Sequence, residues 1–300
     1  VYELAYAPQA DVLKLWEGLG YYSRARNMQK AAQMVAHDRD GVFPNTAKAL
    51  CALPGIGAYT AGAIASIAFG EATPAIDGNV KRVASRLFGI RDNVEKPMVR
   101  KQIELLLNEA IPAEDAGSFN QALMELGATL CSPRTPQCDA CPLKRDCDAC
   151  AEGDAENLPM LEKKAPAVTV DMGVCILTTG ERALLYRRTE RLLHGLYVFA
   201  LLQDETDPQR ACERLKEDGL TVRFEAELGE ATHVFTHRIW KMKLYHFILE
   251  QSPTAEWLDE HHALLANAEQ ISALPLPTAM KAAKTAAFRL LNEKRANPNG

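Results

Sequence analysis

No stretch of the chain reaches the ~18 consecutive apolar residues that a membrane-spanning helix needs, so no membrane partner is expected. The start, VYELAYAPQA, lacks an initiator Met, a basic leader and a long apolar core. A secretory signal peptide is not expected in this stretch, which reads as a chain entered partway through. Nor is there an excess of positive charge: over 300 residues, 34 Lys and Arg face 39 Asp and Glu, a net charge of −5. Residues 1–150 carry 16 basic against 17 acidic side chains, and 151–300 carry 18 against 22. A surface basic throughout is thereby excluded, and any nucleic-acid contact must be a patch. With 47% hydrophobic residues, the chain can bury a large core, most simply as two domains.

A local excess of cations lies in Lys81–Lys101, where Lys81, Arg82, Arg86, Arg91, Lys96, Arg100 and Lys101 face only Asp92 and Glu95. Such a run is either a solvated helix face or a phosphate-binding patch. Just before it lies Leu53–Arg82, LPGIGAYTAGAIASIAFGEATPAIDGNVKR. It reads as a short helix over Asn45–Leu53 with Thr46 as its cap, a tight turn, a helix over Tyr59–Phe69, and a loop with one acid. Gly55 and Gly57 permit a sharp turn with outward backbone N–H groups, and the next helix adds the positive end of its dipole. Together these suit a phosphate, although an ordinary helix-helix turn has the same composition. Asp77 sits between Ile76 and Gly78, where solubility does not require an acid. A helix N-cap over Val80–Leu87 is the plain reading of it.

Upstream, Asp11–Arg39 predicts one or two helices, interrupted by Gly18-Leu-Gly-Tyr-Tyr-Ser-Arg-Ala-Arg26. The glycines suggest a loop that presents Tyr21, with Arg24 and Arg26 able to meet phosphates; a buried tyrosine pair is the alternative. Downstream, Glu104–Leu130 predicts continuous helix. Then come Cys131, Cys138, Cys141 and Cys147, four thiols in 17 residues among three prolines. So little room for a core implies a metal, and the spacing alone suits zinc. Disulfides are a third possibility, which the missing secretory signal disfavours. Cys150 is a spare, and Cys51, Cys175 and Cys212 read as buried thiols. Arg134, Lys144 and Arg145 lie within the cysteine loops and could face a phosphate backbone.

Composition shifts at Ala151–Pro166, a linker by its acids, prolines and lack of period. Beyond it Val170, Met172, Val174 and Ile176 alternate as a strand, and Ala183–Arg187 returns as a second. Pro208–Asp218 is a helix, Thr232–Glu250 is strand-rich, and Pro277–Leu291 is a closing helix. The order suits an α+β domain. The boundaries are a helical domain at 1–150, a linker at 151–168 and the α+β domain at 169–300.

The hairpin, the Asp loop and the cysteine spacing, in that order, resemble the helix-hairpin-helix DNA glycosylases, and MutY-type adenine glycosylases in particular. The resemblance implies a mainly α glycosylase domain with an iron–sulfur loop, followed by a Nudix-like domain. In that family the hairpin, here Gly55 and Gly57 with Lys81 and Arg82 nearby, holds a DNA phosphate. Asp77 faces the sugar of a flipped nucleotide, and Tyr21 wedges into the base stack. Cys131, Cys138, Cys141 and Cys147 are implied to bind a 4Fe-4S cluster. Bifunctional relatives carry at position 59 a Lys that forms an imine and cuts the strand; Tyr59 cannot, so base release without strand cleavage is expected. Phe235, Thr236 and His237 fall where the family's Phe-Ser-His loop reads 8-oxoguanine. Around Cys212–Leu220 the glutamates of a Nudix hydrolase are incomplete, which implies a remnant without catalytic metal. The implied partner is duplex DNA with adenine opposite 8-oxoguanine or guanine, met by a monomer in a bacterial cytoplasm at the nucleoid. The family's general-acid Glu helix has no counterpart in these residues, so weak activity, or lesion binding without excision, is expected of the chain as it stands.

Overall fold

The structure, a computed structural model, describes residues 1–162 and 165–296. It divides into two compact units: Val1–Ala5 with Lys30–Lys164, and Tyr6–Gln29 with Ala165–Gly300.

The helices of the first half are α1 (Tyr2–Tyr6), α2 (Gln9–Leu15), α3 (Tyr22–Asp38), α4 (Ala47–Leu50), α5 (Ala58–Phe69), α6 (Gly78–Leu87), α7 (Pro97–Ala110), α8 (Ala116–Thr129) and α9 (Asp148–Glu152). The predicted cap at Thr46 is present, its side chain accepting from Ala49 N, but α4 is a single turn. The continuous helix expected over Glu104–Leu130 is instead α7 and α8. Pro112 disfavours helical backbone at Ile111, which is extended, and α8 starts anew. Val80, Val83 and Ala84 of α6 pack with Val99, Ile103 and Leu107 of α7 and Leu123 of α8. A separate core joins Ala31 and Val35 to Leu50, Leu53, Ala61 and Ala65. The stretch read as a linker is partly built into this unit: Leu158 is buried with Ala149 and Ala155, and Asn93 bridges to Met160. No described helix is long and apolar enough to cross a membrane.

In the second unit, β1 (Val168–Thr179), β2 (Arg182–Arg187), β3 (Tyr197–Val198), β4 (Ala200–Gln203), β5 (Val222–Val234), β6 (Arg238–Leu249) and β7 (Ala263–Ala266) form one sheet. Its order is β3-β2-β1-β6-β5, with β4 also on β1 and β7 also on β2. β1 and β6 run parallel over most of their lengths. The helices are α10 (Pro208–Glu217), α11 (Ala255–Glu260), α12 (Ala268–Ala273) and α13 (Lys281–Ala296). The alternation read from sequence sends Val174, Ile176, Met242 and Leu244 against α13. The intervening Cys175, Leu177, Tyr245 and Phe247 pack against α10, so both faces are covered.

Candidate functional site

Three glycines let the helices around Asp77 approach closely. A Cβ on Gly62 of α5 would lie 2.5 Å from Pro74 O, one on Gly117 of α8 3.1 Å from Ser66 O, and one on Gly127 of α8 2.7 Å from Asn79 Cβ. Into this contact α8 inserts Asn120, which is buried. Its amide accepts from Ala75 N (2.9 Å) and donates to Thr73 O (2.9 Å) and Ser66 Oγ (2.8 Å). The loop that leads to Asp77 is thereby clamped at two points, Thr73 and Ala75, and tied to α5 through Ser66.

Asp77 is the N-cap of α6: Oδ1 accepts from Val80 N at 2.7 Å. Oδ2 accepts from Asn79 Nδ2 at 3.3 Å. Asn79 Oδ1 in turn accepts from Arg82 Nη2 at 2.9 Å, which also donates to Gly127 O, while Arg82 Nε reaches Cys131 O at 2.8 Å. A continuous hydrogen-bonded chain thus runs from the half-buried carboxylate to the first of the four spaced cysteines. The capping and functional readings of Asp77 are therefore compatible: the cap fixes one oxygen and Asn79 the other.

Gly55 adopts φ +78° and Gly57 caps α5 without a side-chain bond. Both are exposed, and the first N–H groups of α5 receive no side-chain cap. Tyr59, in that first turn, is 42% exposed, with its hydroxyl near Met124 Sδ at 3.6 Å.

The cationic run behaves differently from its sequence. Arg82 and Arg86 are only 8% and 1% exposed. Arg82 therefore does not face a phosphate as expected, because its donors are committed inside the fold; burial lowers its pKa. Lys81 and Arg100 pair with Glu95, Lys96 with Asp92, and Arg91 with Glu152 and Asp154. Arg86 went unrecognised as a site residue. Its Nε donates to Leu158 O, Nη1 to Cys131 Sγ (3.2 Å) and Ser132 O, and Nη2 to Pro133 O. Its own carbonyl accepts from Cys147 Sγ. Arg86 thus ties both ends of the cysteine segment, the first through its buried guanidinium and the last through its backbone carbonyl.

Cys131, Cys138, Cys141 and Cys147 are half-buried free thiols, whereas Cys51, expected to be buried, is exposed. Burial raises the pKa of Cys138 and Cys147, and neighbouring thiols add to it: Cys150, Cys147 and Cys131 for Cys138, Cys150 and Cys131 for Cys147. No group of three ligating side chains converges tightly enough for a single metal ion among the described residues. A donor set made of thiols, with an arginine donating to the first of them, fits an anionic thiolate-bound metal centre. Lys144 pairs with Asp139, while Arg134 and Arg145 are exposed.

The other expected residues lie in the second unit. Tyr21 is 74% exposed at φ +44°, a strained conformation for an aromatic side chain. Arg24 is exposed; Arg26 is half-buried and donates to His194 O at 2.8 Å. Phe235 closes the β5–β6 turn, Phe235 N donating to Arg238 O at 2.7 Å, with Thr236 and His237 exposed at its tip. Its ring meets His233 and the buried Trp240 edge-on, at 4.5 and 4.9 Å between centroids.

A profile of HhH-GPD superfamily base excision DNA repair proteins matches residues 1–109, and a NUDIX domain profile matches 173–286. An adenine DNA glycosylase of Buchnera aphidicola subsp. Acyrthosiphon pisum is 31% identical over 253 residues, covering 84% of this chain and 71% of its own length. The chain belongs to the adenine DNA glycosylase family. Further adenine DNA glycosylases are 34% identical in Arabidopsis thaliana, over 95% of this chain, and 32% identical in Homo sapiens, over 93%. The chain spans 50% of the Arabidopsis protein and 61% of the human one. Both halves of the expected architecture, a helix-hairpin-helix glycosylase fold and a Nudix-like fold, are those of this adenine DNA glycosylase family member.

Proposed function

We propose that the chain is a monofunctional adenine DNA glycosylase, hydrolysing the N-glycosidic bond of adenine opposite 8-oxoguanine or guanine in duplex DNA. Family membership supports the reaction class, and the observation that carries the reading is the held carboxylate of Asp77. Adenine must leave the stack to be reached. The open N-terminus of α5 would take a backbone phosphate, and Asp77 would face the sugar carbon on which positive charge develops. Departure of adenine also needs a proton on its ring, a contribution of ~100- to 10,000-fold. Both oxygens of Asp77 accept hydrogen bonds, so Asp77 is the cation-stabilising group and not the proton donor. Tyr59 forms no imine, and the strand stays whole. The Phe235–His237 turn reads the lesion, and the protein acts as a monomer. Cys131, Cys138, Cys141 and Cys147 would hold a 4Fe-4S cluster, whose contribution when bound would be to cross-link the loop that Arg86 joins to α6.

Single-turnover excision from an adenine:8-oxoguanine duplex tests this, using the 300-residue chain and the longest natural protein that contains it. Adenine release with nicking only after alkali is expected of the longer protein, and weak or no release of the 300-residue chain, with turnover of the longer protein abolished by Asp77→Asn and binding largely retained. Undiminished turnover in Asp77→Asn would remove Asp77 from the reaction, and alkali-independent nicking would overturn the role of Tyr59. Anaerobically purified protein should carry about four irons; stoichiometric zinc without iron would overturn the cluster.

A further inference from the structure

The loop between β2 and β3, Thr189–Gly195, is tied to the segment that carries Tyr21. Its ends are paired, Arg188 N to Leu196 O at 2.9 Å and Gly195 N to Arg188 O at 2.8 Å. Inside it, Leu193 holds φ +63° and His194 Nδ1 donates to Thr189 O at 2.8 Å. Arg26 Nη1 donates to His194 O at 2.8 Å. Gly195, at φ +79°, lies against α2 so closely that a Cβ there would be 3.3 Å from Leu13 Cδ1 and 3.5 Å from Gln9 Oε1. The loop is thus a shaped lip clasped to the start of α3.

Its charges are not balanced internally. Glu190 pairs with Arg188. Arg191 is exposed at the tip and Arg24 is exposed on α3, and neither guanidinium makes an ion pair or hydrogen bond among the described residues. Tyr21 immediately precedes α3, which rises about 6 Å from Tyr22 to Arg26. A duplex carries one phosphate charge per about 1.7 Å of axis, counting both strands. An aromatic ring seated in the base stack at Tyr21 therefore brings flanking phosphates within reach of whatever Arg26 holds.

We propose that the Thr189–Gly195 lip is a second contact surface for the DNA backbone, in which Arg191, on the loop that Arg26 ties to α3, binds a phosphate flanking the exposed Tyr21. This rests on the proposed function in taking duplex DNA as the ligand. It gives Arg26 a different role from the expected phosphate contact: Arg26 is a positioning residue that holds the lip. Phosphate contacts carry no base information, so the lip adds affinity on damaged and undamaged duplex alike.

The test is fluorescence anisotropy of the full chain on an adenine:8-oxoguanine duplex and an undamaged duplex across a potassium chloride series. Arg191→Ala should weaken both roughly three- to tenfold at low salt and make the log–log salt slope shallower by about 0.9. Arg191→Lys should restore most of the slope, and the ratio of damaged to undamaged affinity should not change. Unchanged slopes in Arg191→Ala and in the charge reversal Arg191→Glu, with the wild type binding normally, would overturn the lip alone. A loss confined to the damaged duplex would also overturn it, by making Arg191 a lesion reader. If the wild type bound neither duplex, the proposed function would fall and the lip with it.

Discussion

Arg82 and Arg86 stand one turn apart on α6 and serve different ends of the same network. Arg82 reaches back through Asn79 to Asp77. Arg86 reaches forward to Leu158, Ser132 and Pro133. Replacing Arg86 by Met would leave these carbonyls without a donor, at about 1–3 kcal/mol for each buried one. A loss of about 3 kcal/mol or more is therefore expected, measurable as a lower urea midpoint at unchanged slope; an unaltered midpoint would show that water replaces the guanidinium. His233 offers a pH test. Burial lowers its pKa below the ordinary 6.5. The unfolded chain then takes up the proton first, so the stability His233 contributes is present above that value and is lost as pH falls through the lower folded one. Melting temperature between pH 7.5 and pH 5, about the range in which an ordinary His titrates, should fall more in the wild type than in His233→Gln, and parallel curves would exclude the effect. At the tip, Thr236→Ala should cost ~1 kcal/mol of discrimination between 8-oxoguanine and guanine, read as the ratio of the two dissociation constants; an equal ratio would remove Thr236 from reading.

At the scale of elements, the site depends on how closely α8 approaches α6. Gly127 has a role in this because any Cβ would collide with Asn79, whose amide orients Asp77. Gly127→Ala should therefore lower the excision rate at least ~10-fold while leaving DNA affinity within about threefold, since a small displacement at a reacting group is enough for such a loss. Normal single-turnover rates would mean that α8 shifts as a body and the network survives. The hairpin, Asp77 and the cysteine spacing were legible in sequence because each is a local pattern with chemistry attached. Arg82, Arg86 and Asn120 were not, because their partners lie 45 to 72 positions away. In sequence a buried arginine looks like any other cation of a basic run. Likewise the apolar period that predicts one helix over Glu104–Leu130 continues across Pro112, and only the backbone constraint of proline divides it. The second unit was legible in β1, β2 and α10. The short β3, β4 and β7 lacked the length for alternation to show.

For the molecule as a whole, the two units have separate cores, and the cysteines proposed to bind the cluster lie in only one of them. The tryptophans make this testable, since Trp16, Trp240 and Trp257, the three that the chain contains, all fall in the other. Tryptophan fluorescence therefore follows the sheet unit, whereas far-ultraviolet ellipticity is dominated by the helices around α6. Thiolate–metal bonds contribute to folding directly when a loop has little core of its own, and the segment from Cys131 to Cys147 contains no regular helix beyond two single 3-10 turns. Removing the iron by oxidation and chelation should loosen that segment and, through Arg86, the C-terminal half of α6. The ellipticity midpoint is then expected to fall by several degrees, about what 1–2 kcal/mol produces in a domain of this size. The fluorescence midpoint should move by no more than a degree or two, because independent domains unfold separately. Cys131→Ser should reproduce the split without chelation, and Cys150→Ser should not. A single transition that shifts as one under both probes would show that the units unfold as one cooperative body and would set aside the assignment of the cluster to the helical unit alone.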